Sequence, residues 1–370
     1  MNNSEKRYRV IISGGGTGGH IYPAVAIANE LKRQHPESEI LFVGALGKME
    51  MTKVPDYGYN IVGLPIRGLQ RKLTWENVLF PFRLISSYMK ALKIISDFRP
   101  NAVVGTGGYA SGPTVMAAQR KGIPVLIQEQ NSYPGIANKR FAKKAKRICV
   151  AYEGMETYFD KEKLVVTGNP VRQDIMTTSQ KRAEGLEFYG LTEDKITILV
   201  LGGSLGARTI NESVVKSLPE MLKADLQIVW QTGKIYYEEM IKRVEDITTA
   251  AVVVTRFIEK MDLAYAASDI IISRAGALSI SEISIVGKPV IFVPSPNVAE
   301  DHQTKNAMAL VSREAAIIVH DKDANDRLSE EVIRLSGDMK RRETLAENIK
   351  KLSKPNAVKD IIRELNMIMN

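Results

Sequence analysis

This chain of 370 residues contains the same device twice. An apolar run, Val10-Ile-Ile-Ser13, leads into Gly14-Gly-Gly-Thr-Gly-Gly-His20. A second, Ile198-Leu-Val-Leu201, leads into Gly202-Gly-Ser-Leu-Gly-Ala-Arg208. A helix-like stretch follows each turn. Glycine lets a backbone take positive φ and approach a bulky ligand, and the amides at a helix N-terminus carry partial positive charge that suits phosphate. Two such turns imply an α/β chain of two Rossmann-like halves facing each other, with a nucleotide-linked substrate in the cleft between them.

The rest of the pattern is consistent with that division. Strands are expected at 8–13, 39–44, 101–105, 123–128 and 147–151, with helices at 22–35, 77–97, 111–121 and 135–145. Such alternation implies a parallel sheet covered on both faces. Pro23 is expected in the first turn of its helix, where a missing N–H costs nothing. Gly168-Asn-Pro-Val-Arg172 reads as a boundary, because Asn-Pro biases the chain to an extended turn. A polar stretch to Glu187 follows.

The second half repeats the alternation. Its strands are expected at 196–201, 226–231, 250–254, 269–273, 289–293 and 315–319. Its helices are expected at 206–223, 235–246, 277–286, 301–312, 325–336 and 338–351. Domains at 1–172 and 173–352 follow, with a last helix in 353–370 crossing back onto the first.

Charge is unevenly spread. Residues 1–172 carry 25 Lys and Arg against 13 Asp and Glu, whereas residues 173–370 carry 26 against 29. The basic half should seek an anionic surface. Lys139-Arg-Phe-Ala-Lys-Lys-Ala-Lys-Arg147 places six cations in nine residues. The stretch Trp75 to Leu92 sets Trp75, Leu79, Phe80, Phe82, Ile85 and Met89 among Arg71, Lys72, Arg83, Lys90 and Lys93. Either feature alone reads as a solvated face or a core helix. Together they favour docking on an anionic membrane. No apolar stretch reaches the roughly 20 residues of a spanning helix, nor is there a signal-peptide core. The single cysteine, Cys149, excludes an internal disulfide and reads as a small core residue in a reducing compartment.

Several turns can carry chemistry. The first loop has glycine at five of six positions, 14–19, which tight packing alone does not require. The second strand ends in Gly44-Ala45-Leu46 rather than in the acidic residue a dinucleotide site needs. No G-x-x-x-x-G-K-[ST] exists, so neither an NAD enzyme nor a P-loop NTPase fits. His20 closes the loop; it is a proton acceptor near neutral pH or a capping residue.

Gly105-Thr-Gly-Gly-Tyr-Ala-Ser-Gly-Pro113 is a second phosphate loop or a plain turn. Asn131, in Glu129-Gln-Asn131, either meets a ligand or forms an Asx turn before Pro134. Ser273-Arg-Ala-Gly-Ala-Leu-Ser-Ile-Ser-Glu282 opens a helix on which a diphosphate can rest, with Glu282 placed for a ribose diol or simply for the helix dipole. Metal chemistry has little support: the one D-x-D, Asp321-Lys-Asp323, reads as a surface turn, and no zinc spacing occurs.

In this order, GGGTGGH at 14–20, GGYASGP at 107–113, EQN at 129–131 and GNPVR at 168–172 resemble the MurG-type N-acetylglucosaminyltransferases of bacterial cell-wall synthesis. So do GGSLGA at 202–207, RFI at 256–258, RAGALSISE at 274–282 and QTKNA at 303–307. The resemblance implies a GT-B fold, two Rossmann-like domains around a deep cleft. It implies inverting transfer of N-acetylglucosamine from UDP-N-acetylglucosamine to the 4-hydroxyl of lipid-linked N-acetylmuramyl-pentapeptide. That reaction requires no metal or cofactor and takes place on the cytoplasmic face of the membrane, with no nucleic acid involved.

By resemblance, the donor site uses Arg172, Ser204, Ile258 (through its backbone, to uracil), Ala277, Leu278, Ser279, Ile280, Ser281, Glu282 (to ribose) and Gln303 (to sugar hydroxyls). Thr17, Gly18, Gly19 and Asn131 complete it from the first domain. The glycine loops there also take the acceptor's diphosphate, and His20 is the candidate general base. Gln128 and His302 depart from the family, which often has His before Glu-Gln-Asn and a pair of glutamines at 302–303. A UDP-N-acetylglucosamine 2-epimerase of the same fold and a non-enzymatic anion-binding module are the rival readings.

Overall fold

Short runs of Val, Ile and Leu form the two sheets, and their residues alternate between two faces that are both covered. The computed structural model describes residues 7–68, 79–203, 205–247, 249–298 and 301–370. The chain divides into two units, Met1–Arg172 with Lys354–Asn370, and Gln173–Ser353.

The first unit runs β1 (Arg9–Gly14), α1 (Gly18–Gln34), β2 (Glu39–Ala45), α2 (Glu50–Asp56), β3 (Asn60–Leu64), α3 (Phe80–Phe98), β4 (Ala102–Gly107), α4 (Ser111–Arg120), β5 (Val125–Glu129), α5 (Ile136–Ala142), β6 (Arg147–Val150) and β7 (Leu164–Val166). Its sheet has the order β3-β2-β1-β4-β5-β6-β7 and every pairing is parallel. Side chains alternate across a strand, so Ile11, Val43, Val103 and Ile127 face α3 and α4. Val10, Ile12, Phe42, Val104 and Cys149 face α1 and the C-terminal helix.

The second unit runs α6 (Arg182–Tyr189), β8 (Thr197–Leu201), α7 (Arg208–Lys223), β9 (Gln227–Gln231), α8 (Tyr237–Val244), β10 (Val252–Thr255), α9 (Met261–Ala267), β11 (Ile270–Ser273), α10 (Ala277–Val286), β12 (Val290–Phe292), α11 (His302–Val311), β13 (Ile317–Ile318), α12 (Ala324–Gly337) and α13 (Met339–Lys351). Its order, β10-β9-β8-β11-β12-β13, is again parallel throughout. Trp230 is buried at the centre of one face, and its indole N–H donates to Asn211 Oδ1 at 3.0 Å. The chain then re-enters the first unit as α14 (Ala357–Met369). There Ile361, Ile362 and Leu365 are buried against the β1 side of the sheet, and Arg147 Nε meets Glu364 at 3.0 Å.

Each sheet therefore reverses its strand order once, between β1 and β4 and between β8 and β11. Loops leaving the strand ends at such a point diverge to opposite faces and open a ligand crevice. Both glycine-dense turns stand at these two places.

Some expectations are corrected. Helix α1 begins at Gly18, not at residue 22, so Pro23 lies inside it. Its absent N–H costs the Gly19 carbonyl its helical partner. Edge strands β3 and β7 escaped the sequence reading because they are short and half-exposed. Helices α2, α6 and α9 are seven or eight residues long, too short to show periodicity. Asp321 is not a plain surface residue: it pairs with Arg274 and accepts from Thr209 Oγ1 at 2.9 Å.

Candidate active site

In the first unit the β1 and β4 loops interlock. The β1–β4 register breaks between Ser13 and Gly14, where Gly14 comes opposite Gly107. The Gly15 N–H donates to the Gly107 carbonyl at 3.2 Å, and Thr106 Oγ1 donates to the His20 carbonyl at 2.9 Å. Two glycines are obligatory here. Gly107 has φ +99°, and a Cβ on it would lie 2.9 Å from His20 Nε2. Gly108 has φ +87°, and its Cβ would fall 2.2 Å from the Gly15 carbonyl oxygen.

His20 sits in the first turn of α1 behind Thr17, the extended N-cap residue. The ring is half-buried, with Nδ1 3.1 Å from the Gly15 carbonyl and 3.4 Å from Thr17 Oγ1. A carbonyl only accepts, so Nδ1 carries the proton and Nε2 presents its lone pair. Burial pulls the His20 pKa below its ordinary 6.5, against the opposing pull of Glu129, the Gly15 carbonyl and Glu50. The ring is therefore a neutral base near pH 7.

Glu129 is buried, and its carboxylate organises the turn after β5. It accepts from the N–H groups of Asn131 at 3.0 Å and Gly135 at 3.0 Å, and from Asn138 Nδ2 at 2.8 Å. Asn131 Nδ2 also donates to Glu129 Oε1 at 3.3 Å. Gln128, where the family often has His, is buried and donates to Asn169 Oδ1 at 3.1 Å, so in this chain the position joins the turn after β5 to segment 168–172. The Arg172 guanidinium lies 5.7 Å from the Tyr22 ring centre, a cation–π arrangement. Gly18 and Gly19 supply the first amides of α1.

In the second unit, β8 runs into Gly202 and Gly203; Ser204 lies outside the described residues. Gly206 and Gly233 meet backbone to backbone, since a Cβ on Gly233 would fall 2.1 Å from the Gly206 nitrogen. Gln231 joins two candidate segments. Its Nε2 donates to the Gly203 carbonyl at 3.1 Å, and its Oε1 accepts from the Ile258 N–H at 2.9 Å. The expectation that Ile258 meets a base through its backbone thus narrows to its carbonyl, because the N–H is engaged.

Helix α10 starts directly after β11, with Gly276 extended as N-cap, so the amides of Ala277, Leu278 and Ser279 head the helix. Ile280 is buried, while Ser281 Oγ donates back to the Ala277 carbonyl at 2.9 Å. Glu282, one turn further, accepts from the buried Tyr265 hydroxyl at 3.1 Å. Gln303, at the head of α11, accepts the Ser295 N–H through Oε1 at 2.9 Å, which identifies the oxygen end of its amide. Arg274 clamps the same loops by donating to the Val293 carbonyl at 3.0 Å.

The comparisons decide what this pair of sites belongs to. Residues 10–150 match the model of the glycosyltransferase family 28 N-terminal domain, and residues 197–365 match that of its C-terminal domain. The chain belongs to glycosyltransferase family 28. A relative from Flavobacterium psychrophilum is 52% identical over 362 residues, 97% of each chain. One from Cytophaga hutchinsonii is 54% identical over 367 residues, 99% of this chain and 98% of the other. Both are named UDP-N-acetylglucosamine--N-acetylmuramyl-(pentapeptide) pyrophosphoryl-undecaprenol N-acetylglucosamine transferase.

Among solved structures, Acinetobacter baumannii MurG matches with TM-score 0.76 at 28% identity, covering 98% of this chain and all of that one. A Neisseria meningitidis UDP-GlcNAc 2-epimerase matches with TM-score 0.68 at 17% identity, covering 97% of this chain and 100% of that one, a likeness of fold alone. As a family 28 member, the chain is a glycosyltransferase of GT-B fold, with two parallel α/β sheets of seven and six strands.

Sequence reasoning missed Glu50, Gln231 and Tyr265, single polar residues outside the glycine motifs. Thr106 stands inside one, Gly105 to Pro113, but nothing in the sequence singled out its hydroxyl.

Proposed function

We propose that this enzyme transfers N-acetylglucosamine from UDP-N-acetylglucosamine to the 4-hydroxyl of undecaprenyl-pyrophosphoryl-N-acetylmuramyl-pentapeptide, with inversion at the anomeric carbon. The observation that carries the reading is the agreement of near-full-length relatives on this activity, with identities of 52% and 54%. The glycine-lined loops at both sheet reversals support it.

The chemistry follows from the residues. His20 Nε2 takes the proton of the acceptor 4-hydroxyl while that oxygen bonds to the anomeric carbon. The bond from that carbon to the diphosphate oxygen breaks, and UDP leaves with the electron pair. The amides of Ala277, Leu278 and Ser279 hold the leaving diphosphate, where the helix dipole favours negative charge. The Ile258 carbonyl accepts from uracil, Glu282 accepts from the ribose diol, and Gln303 donates to a sugar hydroxyl. Ser204, Arg172, Asn131 and Thr17 to Gly19 are also assigned to the donor.

A peripheral site of action on the cytoplasmic face of an anionic membrane is part of the proposal. Helix α3 exposes Phe82 (70%), Ile85 (61%) and Met89 (60%), and α5 exposes Ile136 (87%). Lys93, Arg140, Lys143, Lys144 and Lys146 are exposed nearby in sequence. Arg147 is held by Glu364, and Lys139 lies over Tyr133 and Tyr158. Arg71, Lys72 and Trp75 lie outside the described residues. No described helix is long and apolar enough to cross a membrane.

Labelled UDP-N-acetylglucosamine supplied with the lipid-linked acceptor tests the reaction. A lipid-linked disaccharide, formed equally with chelator present, is the expected product. Absence of transfer would refute the proposal.

A further inference from the structure

Beneath the first glycine loop lies a carboxylate with no part in the scheme above. Glu50, at the start of α2, is completely buried. Its Oε2 accepts from the Gly16 N–H at 2.8 Å and its Oε1 from the Ala45 N–H at 2.9 Å. It also fills the space that side chains at neighbouring positions would need. A Cβ on Gly15 would lie 2.2 Å from Oε1, and one on Gly44 would lie 2.5 Å from the Glu50 Cγ. Among the described residues no cation forms a salt bridge with it, although burying a lone carboxylate is costly. Two charge-assisted bonds to backbone amides offset that cost.

The two bonds join different segments, the end of β2 and the loop after β1. They fix Gly15 between the carboxylate and the Gly107 carbonyl, and the Gly15 carbonyl in turn meets His20 Nδ1. They also withdraw the Gly16 amide from any ligand and set a negative charge under the loop. Phosphate binding in this turn is therefore left to the α1 amides of Gly18 and Gly19.

We infer that Glu50 is a positioning residue for the transfer reaction: through Gly15 and Gly16 it holds the loop that fixes the tautomer and aim of His20. The arrangement is a carboxylate–peptide–histidine relay of orientation, with a backbone carbonyl in the place where many catalytic histidines meet an acid directly. The charged groups acting on the ring are Glu129 and Glu50. Removing the Glu50 charge leaves only Glu129 and the Gly15 carbonyl to favour imidazolium, so His20 titrates at lower pH.

This inference rests on His20 as the base, and the experiment separates the two. Glu50→Gln is compared with wild type for kcat, donor KM, pH–rate profile and the titration of His20. The titration is followed by NMR of ring-labelled histidines and assigned by comparison with His20→Ala. The amide can accept only one of the two N–H bonds, because its NH₂ faces the other. We expect kcat to fall about 10- to 100-fold, as when an orienting partner is lost from a histidine ligand. Donor KM stays unchanged, and the His20 titration and the acid limb move together to lower pH.

Glu50→Asp guards against a folding defect. It keeps the charge but is a methylene too short to reach both amides, so kcat falls while the titration stays near that of wild type. Wild-type kcat in either variant, or a loss of kcat in Glu50→Gln with an unmoved His20 titration, would overturn the inference. Wild-type turnover in His20→Ala would remove the base assignment and leave the titration shift to judge Glu50 by itself.

Discussion

The Gly15 carbonyl oxygen lies 3.1 Å from Nδ1 of His20. That single contact assigns the ring proton to Nδ1 and leaves Nε2 as the basic nitrogen. Because burial also depresses the His20 pKa, the ring is neutral near neutral pH, as the proposed base must be.

His20→Ala should lower kcat by about 10²- to 10⁴-fold, the usual contribution of a positioned base. UDP affinity, measured by calorimetry, should not change. The wild-type acid limb should fall below the ordinary histidine value of 6.5. Protonation removes the lone pair, so activity is lost as pH drops through the folded-state pKa. An acid limb above 6.5 would contradict the burial argument.

Gly107→Ala should abolish transfer while leaving UDP binding by the second unit intact. The new Cβ would press on the His20 ring, 2.8 Å from Cδ2, and φ there is +99°. Strain at a left-handed position costs on the order of 1–3 kcal/mol, so a modest drop in melting temperature should accompany the loss. Full activity in this variant would mean that the ring sits elsewhere during the reaction.

Tyr265→Phe should weaken donor binding about 10- to 100-fold, because one bond to a partly buried carboxylate is worth about 1.5–3 kcal/mol. The Tyr265 hydroxyl donates to Glu282 Oε2 and so orients the carboxylate proposed to meet the ribose. 2′-Deoxyribose donor should bind wild type and Glu282→Gln with similar affinity. A large difference would separate Glu282 from the ribose.

Phe82→Ser with Ile85→Ser should cut binding to anionic vesicles and spare transfer to a water-soluble acceptor. Both side chains are more than half exposed, so stability should change little. Unchanged vesicle binding would assign the membrane contact to another surface.

Most strands were legible because each is a short run rich in Val, Ile and Leu, and several run straight into glycine. Val10 to Ile12 and Ile198 to Leu201 show this plainly. Asn60–Leu64 and Leu164–Val166 were not, since edge strands half-covered by solvent carry little hydrophobic signal. The start of α1 was misplaced because Gly18 and Gly19 have poor helix propensity, and the interlocking loops supply the stabilisation instead. The glycine loops and His20 stood out by composition. Glu50, Gln231 and Tyr265 did not, because their partners are backbone amides or residues 17 to 34 positions away, and only folding brings them together.

Product analysis with and without acceptor tests the central claim most directly. Incubated with UDP-N-acetylglucosamine and the lipid-linked muramyl-pentapeptide, the enzyme should release UDP in step with a β-1,4-linked disaccharide. With donor alone it should release no UDP and leave the sugar configuration untouched. Epimerised sugar from donor alone, with no disaccharide when acceptor is added, would contradict the account.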